Sequence, residues 1–204
     1  MSLFAQDYDS VQVGGYKQLP AVGYICRILG AKAEVSRAGN PMVTVMLDII
    51  DGEYTGFFMN KYRDKKANAD DPTKVKYPND GVSRIVTVDS EGHTKKAFKG
   101  FVTSVERSND VMLPREDNAF VAALKDKEVG VLFGREEYMG TDGKRRWSTK
   151  PRFFRDVESI VNGDYTTPED QCLKDPQEAL NTAATALFGE MPQEFSATDE
   201  NLPF

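Results

Sequence analysis

AVGYICRILGAKAEVSRAGNPMVTVMLDIIDGEYTGFFMNKY, residues 21–62, is the stretch on which the fold turns. Its first fifteen residues, 21–35, are rich in β-branched and aromatic types and read as one long strand. Arg37-Ala38-Gly39-Asn40-Pro41 is turn chemistry, since Gly39 and Asn40 tolerate positive φ and Pro41 resists continuing a ladder. In Met42–Ile50, Val43, Val45, Leu47 and Ile49 alternate with Thr44, Met46 and Asp48, a period of two that predicts a second strand. Asp51-Gly52 then suggests a tight hairpin, with a third strand at Tyr54–Tyr62 that sends Phe57 and Phe58 to opposite faces.

Outward from there, residues 63–83 are polar, with Pro72, Pro78 and Gly81, and read as a long loop before a short strand at Arg84–Val88. The period then changes. Phe98, Phe101, Val102 and Val105 make the apolar stripe of a helix over about 94–108, with Thr94 as its N-cap. A short helical turn is expected at 118–124. Val129–Tyr138 is strand-like, residues 139–143 form a loop containing Asp142-Gly143, and Arg145–Val157 returns as the last strand. Three strands, a helix and two strands is the order of the OB-fold, a five-stranded Greek-key barrel with a helix between strands 3 and 4.

The 204 residues carry 26 Lys and Arg against 32 Asp and Glu, for a net charge of −6. That charge is unevenly spread. Residues 164–204 hold nine acids (Asp164, Glu169, Asp170, Asp175, Glu178, Glu190, Glu194, Asp199, Glu200) against Lys174, net −8, which leaves +2 on residues 1–163. A slightly basic body can meet polyanions while an acidic tail repels them. The expected division is therefore a nucleic-acid-binding domain at 1–163 and a mostly disordered tail at 164–204. Within the tail, Asp175-Pro176-Gln177-Glu178 followed by Leu180, Ala183, Ala184, Leu187 and Phe188 predicts a short helix at 176–188, docked on the body, docked on a partner, or frayed. Cys26 and Cys172 lack metal or disulfide spacing. No apolar run long enough to span a membrane and no secretory signal are visible, so a cytoplasmic protein is expected.

The densest cationic run is Lys144, Arg145, Arg146, Lys150, Arg152 and Arg155, with the sole tryptophan, Trp147, inside it and Phe153 and Phe154 following. Between Gly140 and Arg155 the only acid is Asp142. Cations that track phosphates, interleaved with rings that stack on unpaired bases, suit single-stranded nucleic acid. A solvated basic hairpin is the plainer alternative. Lys61, Tyr62, Lys65 and Lys66 form a second cluster, diluted by Asp64, Asp70 and Asp71, and Arg37 is a third candidate. Catalytic features are sparse: His93 is the only histidine and reads as a loop or cap residue. Asp48, Asp51, Glu53 and Asp89 are candidates for holding Mg²⁺ in a nuclease, but they lie where solvated acids are expected. No cofactor is expected, and no phosphate-cradling G-x-x-x-x-G-K-[ST] loop is present.

The last residues, Asp199-Glu200-Asn201-Leu202-Pro203-Phe204, read as a docking peptide: a ring for an apolar pocket, a carboxylate for a cation, acids for a basic rim. This ending resembles the acidic tip of bacterial single-stranded-DNA-binding proteins, with Asn201 in place of a third acid. The resemblance implies that Asp199, Glu200, Leu202, Pro203 and Phe204 recruit replication and repair proteins. Gly15–Pro20, the Phe98–Asn109 run FKGFVTSVERSN, Val129–Tyr138 with Thr141–Lys144, Pro151–Arg155 and Asn162–Tyr165 resemble phage-encoded proteins of replication and recombination modules, regarded as binding single-stranded DNA. The likeness spans most of 14–165 and implies an OB-fold, non-enzymatic protein that coats single strands in the host cytoplasm. A Mg²⁺-dependent phage nuclease, or an accessory to one, is the alternative.

Overall fold

The computed structural model describes residues 18–173. The chain divides into two compact units, 1–171 and 172–204, so all that follows concerns the first. The tail helix at 176–188 and the docking peptide lie outside the described residues.

Five antiparallel strands form one open sheet in the order β3-β2-β1-β4-β5. They are β1 (Gly23–Val35), β2 (Pro41–Ile49), β3 (Val82–Val86), β4 (Glu128–Met139) and β5 (Arg145–Arg155). The molecule is mainly β, with helices α1 (Phe57–Ala67), α2 (Lys96–Asn109), α3 (Asp117–Ala123) and α4 (Val157–Val161). β1 is long enough to serve two neighbours. Cys26 lies opposite Ile49 of β2 on one side and Val129 of β4 on the other, and a bulge between Ile28 and Gly30 re-aims the rest of the strand. The alternation read in β2 is the inward set: Val43, Val45, Leu47 and Ile49 are all buried.

The third strand predicted at Tyr54–Tyr62 does not exist. After β2 the chain turns through Gly52 and Gly56, and Gly56 takes a left-handed φ of 75° that a strand does not use. α1 starts at once, because the Asp48 carboxylate on β2 accepts hydrogen bonds from the amides of Phe58 (3.0 Å) and Met59 (3.3 Å). An acceptor ten and eleven residues upstream thus satisfies amides that a helix start leaves orphaned. The consequence for the two phenylalanines is large. Phe58 is fully buried and stacks on Phe133 of β4 (centroids 5.8 Å), while Phe57 packs edge-on against Tyr54 (6.0 Å) and Phe58 (5.1 Å). Both turn toward the core, not one to each face.

The short strand predicted at Arg84–Val88 is the real third strand, set two residues earlier at Val82–Val86. Two 3₁₀ turns, Pro72–Lys74 and Asn79–Gly81, lead into it, and the Tyr77 hydroxyl anchors the segment by donating to the Leu47 carbonyl (2.8 Å). Helix α2 begins two residues later than expected, at Lys96, because Thr94 is occupied in a bridge with Val88. Its predicted stripe holds: Phe101, Val102 and Val105 are buried, and Phe101 meets Phe154 of β5 at 4.7 Å. Among the described residues no helix is long and apolar enough to cross a membrane.

Burial raises the Asp48 pKa above its usual range, against the smaller opposing effect of the two amides that it accepts from. A raised folded pKa contributes stability that is fully present below the unfolded value and is lost as pH rises through the folded one. Asp48→Asn keeps an acceptor oxygen and removes the charge. Its thermal midpoint is expected to match or exceed the parent's at neutral pH, with the difference shrinking toward acid pH. A lower midpoint at neutral pH would show that the ionised carboxylate itself holds α1.

Candidate nucleic-acid interface

The β4–β5 hairpin carries most of the cations singled out in the sequence, and its register shows what faces them. Arg145 lies opposite Met139, Trp147 opposite Glu137 and Ser148 opposite Glu136. Cross-strand neighbours share a face, so the acids of β4 sit among the bases of β5. Arg145 pairs with Glu137 (3.4 Å), Lys150 with Glu136 (3.0 Å), and Arg146 with Asp142 (2.8 Å). Half of the run read along the chain, Arg145, Arg146 and Lys150, is therefore neutralised by Glu137, Asp142 and Glu136. Lys144 stands exposed in the turn.

Trp147 keeps its place as the ring of this hairpin. It is 37 % exposed, and the Arg135 guanidinium lies 5.2 Å from its ring centroid. Arg135 is itself held by Asp170, whose carboxyl is kept below the usual carboxylate range by that hydrogen-bonded guanidinium. Residues near 171 run beside β4: Gln171 N donates to the Arg135 carbonyl (2.9 Å) and Glu137 N donates to the Gln171 carbonyl (2.8 Å).

The other sequence candidates stand apart from the hairpin. Lys61 is on α1, bonded to Asp80 and 5.9 Å from the Phe57 ring centroid. Tyr62 packs on Tyr77 at 5.7 Å, and Lys66 lies over its other neighbourhood, 5.9 Å from the Tyr62 ring centroid. Lys65 is exposed in the last turn of α1. Arg37 is exposed in the β1–β2 turn.

What the chain order conceals is a cleft of about 700 Å³ between β3, the first turns of α2, and β5. β3 and β5 are the two edges of the sheet, so the cleft is walled by the strands that have no further ladder partner. Arg84, Lys95, Lys96, Lys150, Arg152 and Arg155 line it against one acid, Glu136, which Lys150 already engages. Arg84 donates only to neutral Asn79 (2.9 Å) and Arg155 to the Phe154 carbonyl (3.1 Å), so their charges are uncompensated by these bonds. Phe153, 55 % exposed, presents a ring on the β5 wall of the cleft, which Trp147 does not line.

Lys150, Arg152 and Arg155 belong to both the cationic run read in the sequence and the cleft; Arg84, Lys95 and Lys96 were not singled out. A signal for them existed. Lys95-Lys96 opens an amphipathic helix with no acid in its first turn, where the helix dipole favours acids, and Arg84 marks an edge strand.

The acids weighed for a metal are scattered by the fold. Asp48 is buried under α1, Asp51 and Glu53 are exposed in the turn that precedes α1, and Asp89 accepts from the amides of Glu91 and His93. Among the described residues no three His, Cys, Asp or Glu side chains gather in a group that would hold a metal ion. His93 is exposed in the loop between β3 and α2. No family model matches the chain, and no curated protein is similar to it.

Proposed function

We propose that this chain binds single-stranded DNA without strong sequence preference, along the cationic cleft between β3, α2 and β5 and onto the exposed rings of Phe153 and Trp147. The observation that carries the reading is the cleft itself: five cations that, among the described residues, form no ion pair (Arg84, Lys95, Lys96, Arg152 and Arg155), beside one exposed phenylalanine. Spaced cations attract phosphates, and flat rings stack on any unpaired base because every base offers a π face. A duplex hides its bases, so the rings favour single strands.

We further read the fold as an OB-type barrel whose seam stands open between β3 and β5. Support comes from the strand order β3-β2-β1-β4-β5, the helices between β3 and β4, and the approach of β3 and β5 as facing walls of one cleft. In this reading the protein coats strands in the cytoplasm of a bacterial host during phage replication or recombination. The terminal Asp199, Glu200, Leu202, Pro203 and Phe204 recruit partner proteins.

Trp147 fluorescence titrated with oligo(dT) at several salt concentrations tests the reading. If these five cations each meet a phosphate, log affinity falls against log salt with a slope of about −3.5. No binding at low salt removes the proposal.

A further inference from the structure

We infer that the cleft contains a discrete oxyanion site built on Arg152, which takes one phosphate group through the Nε–Nη2 edge of its guanidinium. The inference rests on the strand-binding reading for the source of that group, an internal phosphodiester; the site takes the same chemistry from free phosphate.

The starting point is an unpaid charge inside a folded protein. Arg152 Nε and Nη2 are both buried, and neither has a hydrogen-bond partner among the described residues. A guanidinium stays protonated at any ordinary pH, so burial cannot be relieved by losing the proton. Two adjacent unmet donors on one planar edge match two oxygens of a phosphate. The neighbouring acids do not serve them: Glu136 is engaged by Lys150, Asp170 by Arg135, and exposed Glu169, which shares a second pocket with Arg152, bonds to neither atom.

The backbone is shaped around this side chain. Leu132 pairs with Phe153 and Phe133 with Pro151, which makes Arg152 the extra residue of a β-bulge. Under its stem lies Gly134, where a Cβ would sit 2.9 Å from Arg152 Cγ and 3.1 Å from Pro168 Cβ. Any larger residue there would push the arginine off its seat. On the far side of the same cleft, α2 begins without a side-chain cap or a first-turn acid and with Lys95 and Lys96 beside its free amides. Such a helix start favours an anion. The two lysines hold the phosphates adjoining the one at Arg152.

The test compares the full-length parent with Arg152→Gln and Arg152→Lys in two assays: oligo(dT) titration over a salt series, and the thermal midpoint with and without millimolar inorganic phosphate. For Arg152→Gln, the salt slope is expected to become shallower by about 0.7, one phosphate contact fewer, with roughly 10-fold weaker binding at 50 mM salt. Phosphate is expected to raise the midpoint of the parent but not of Arg152→Gln. Arg152→Lys keeps the slope and loses several-fold in affinity, because one ammonium cannot form the fork; it carries the test should the glutamine variant fail to fold. Oligonucleotide binding by Arg152→Gln with the parent's slope and affinity, and equal phosphate shifts in both, would overturn the site while leaving strand binding intact. An Arg152-dependent phosphate shift in a protein that ignores oligo(dT) at every salt would keep the site and remove the strand reading.

Discussion

The triple variant Lys95→Ala, Lys96→Ala, Arg155→Ala is expected to bind oligo(dT) about 500-fold more weakly than the parent at 50 mM salt, with a salt slope shallower by about 2. The magnitude follows from counterion release. Each phosphate contact on a single strand contributes about 0.7 to the slope, which at 50 mM salt is a factor of about 8 in affinity, and three such factors multiply. All three side chains are exposed, so the fold has no reason to suffer, and an unchanged thermal midpoint is the control. The informative contrast is Arg145→Ala with Arg146→Ala. Those two arginines already meet Glu137 and Asp142, so they bring little net charge to a strand, and the expected loss is well below that of the triple variant. Parent-like binding by the triple variant would move the strand out of the cleft.

Phe133→Ala is expected to cost about 3–5 kcal/mol of stability, the range for truncating a buried aromatic, and to lower the thermal midpoint by roughly 6–20 °C. Phe133 has no exposed surface. Its ring stacks on Phe58 at 5.8 Å and meets Tyr24 edge-on at 5.6 Å, so one side chain ties β4 to α1 and to β1. Removing it leaves a cavity between elements that do not touch through hydrogen-bonded ladders alone. Phe153→Ala is the matched comparison: its ring is exposed and its loss is expected to change stability by less than about 0.5 kcal/mol. Urea unfolding of both variants measures the difference. A loss below about 1 kcal/mol for Phe133→Ala would mean that the aromatic stack is not the centre of the core.

All five strands and the main helix were legible in outline, the longer ones because their periodicity is written in consecutive residues. Val43, Val45, Leu47 and Ile49 alternate inward, and Phe101, Val102 and Val105 lie on one helical face. The stretch 54–62 misled for a physical reason. Tyr, Phe and Phe have high β propensity, and nothing within the segment shows that Asp48, on the preceding strand, will accept the amides of Phe58 and Met59. The true third strand, Val82–Val86, is five residues long and sits on an edge, and the strand read at Arg84–Val88 was placed two residues late.

Among the candidate residues, composition along the chain singled out Trp147, Lys150, Arg152 and Arg155. It overcounted the hairpin, because Glu136 and Glu137 precede the basic run in sequence and face it only once β4 and β5 pair. Charge, period and turn chemistry are local quantities, and they determined a mainly β body with a basic strand, a single central tryptophan, an amphipathic helix and an acidic terminal segment. Only the tertiary structure decided which charges survive pairing and where they meet. Arg84, Lys95 and Arg155 come from a strand, a helix start and another strand far apart in the chain, and they share a wall because the two edges of one sheet approach each other beside α2. Neutralisation and clustering depend on distance in space, and no linear reading of residues contains that distance.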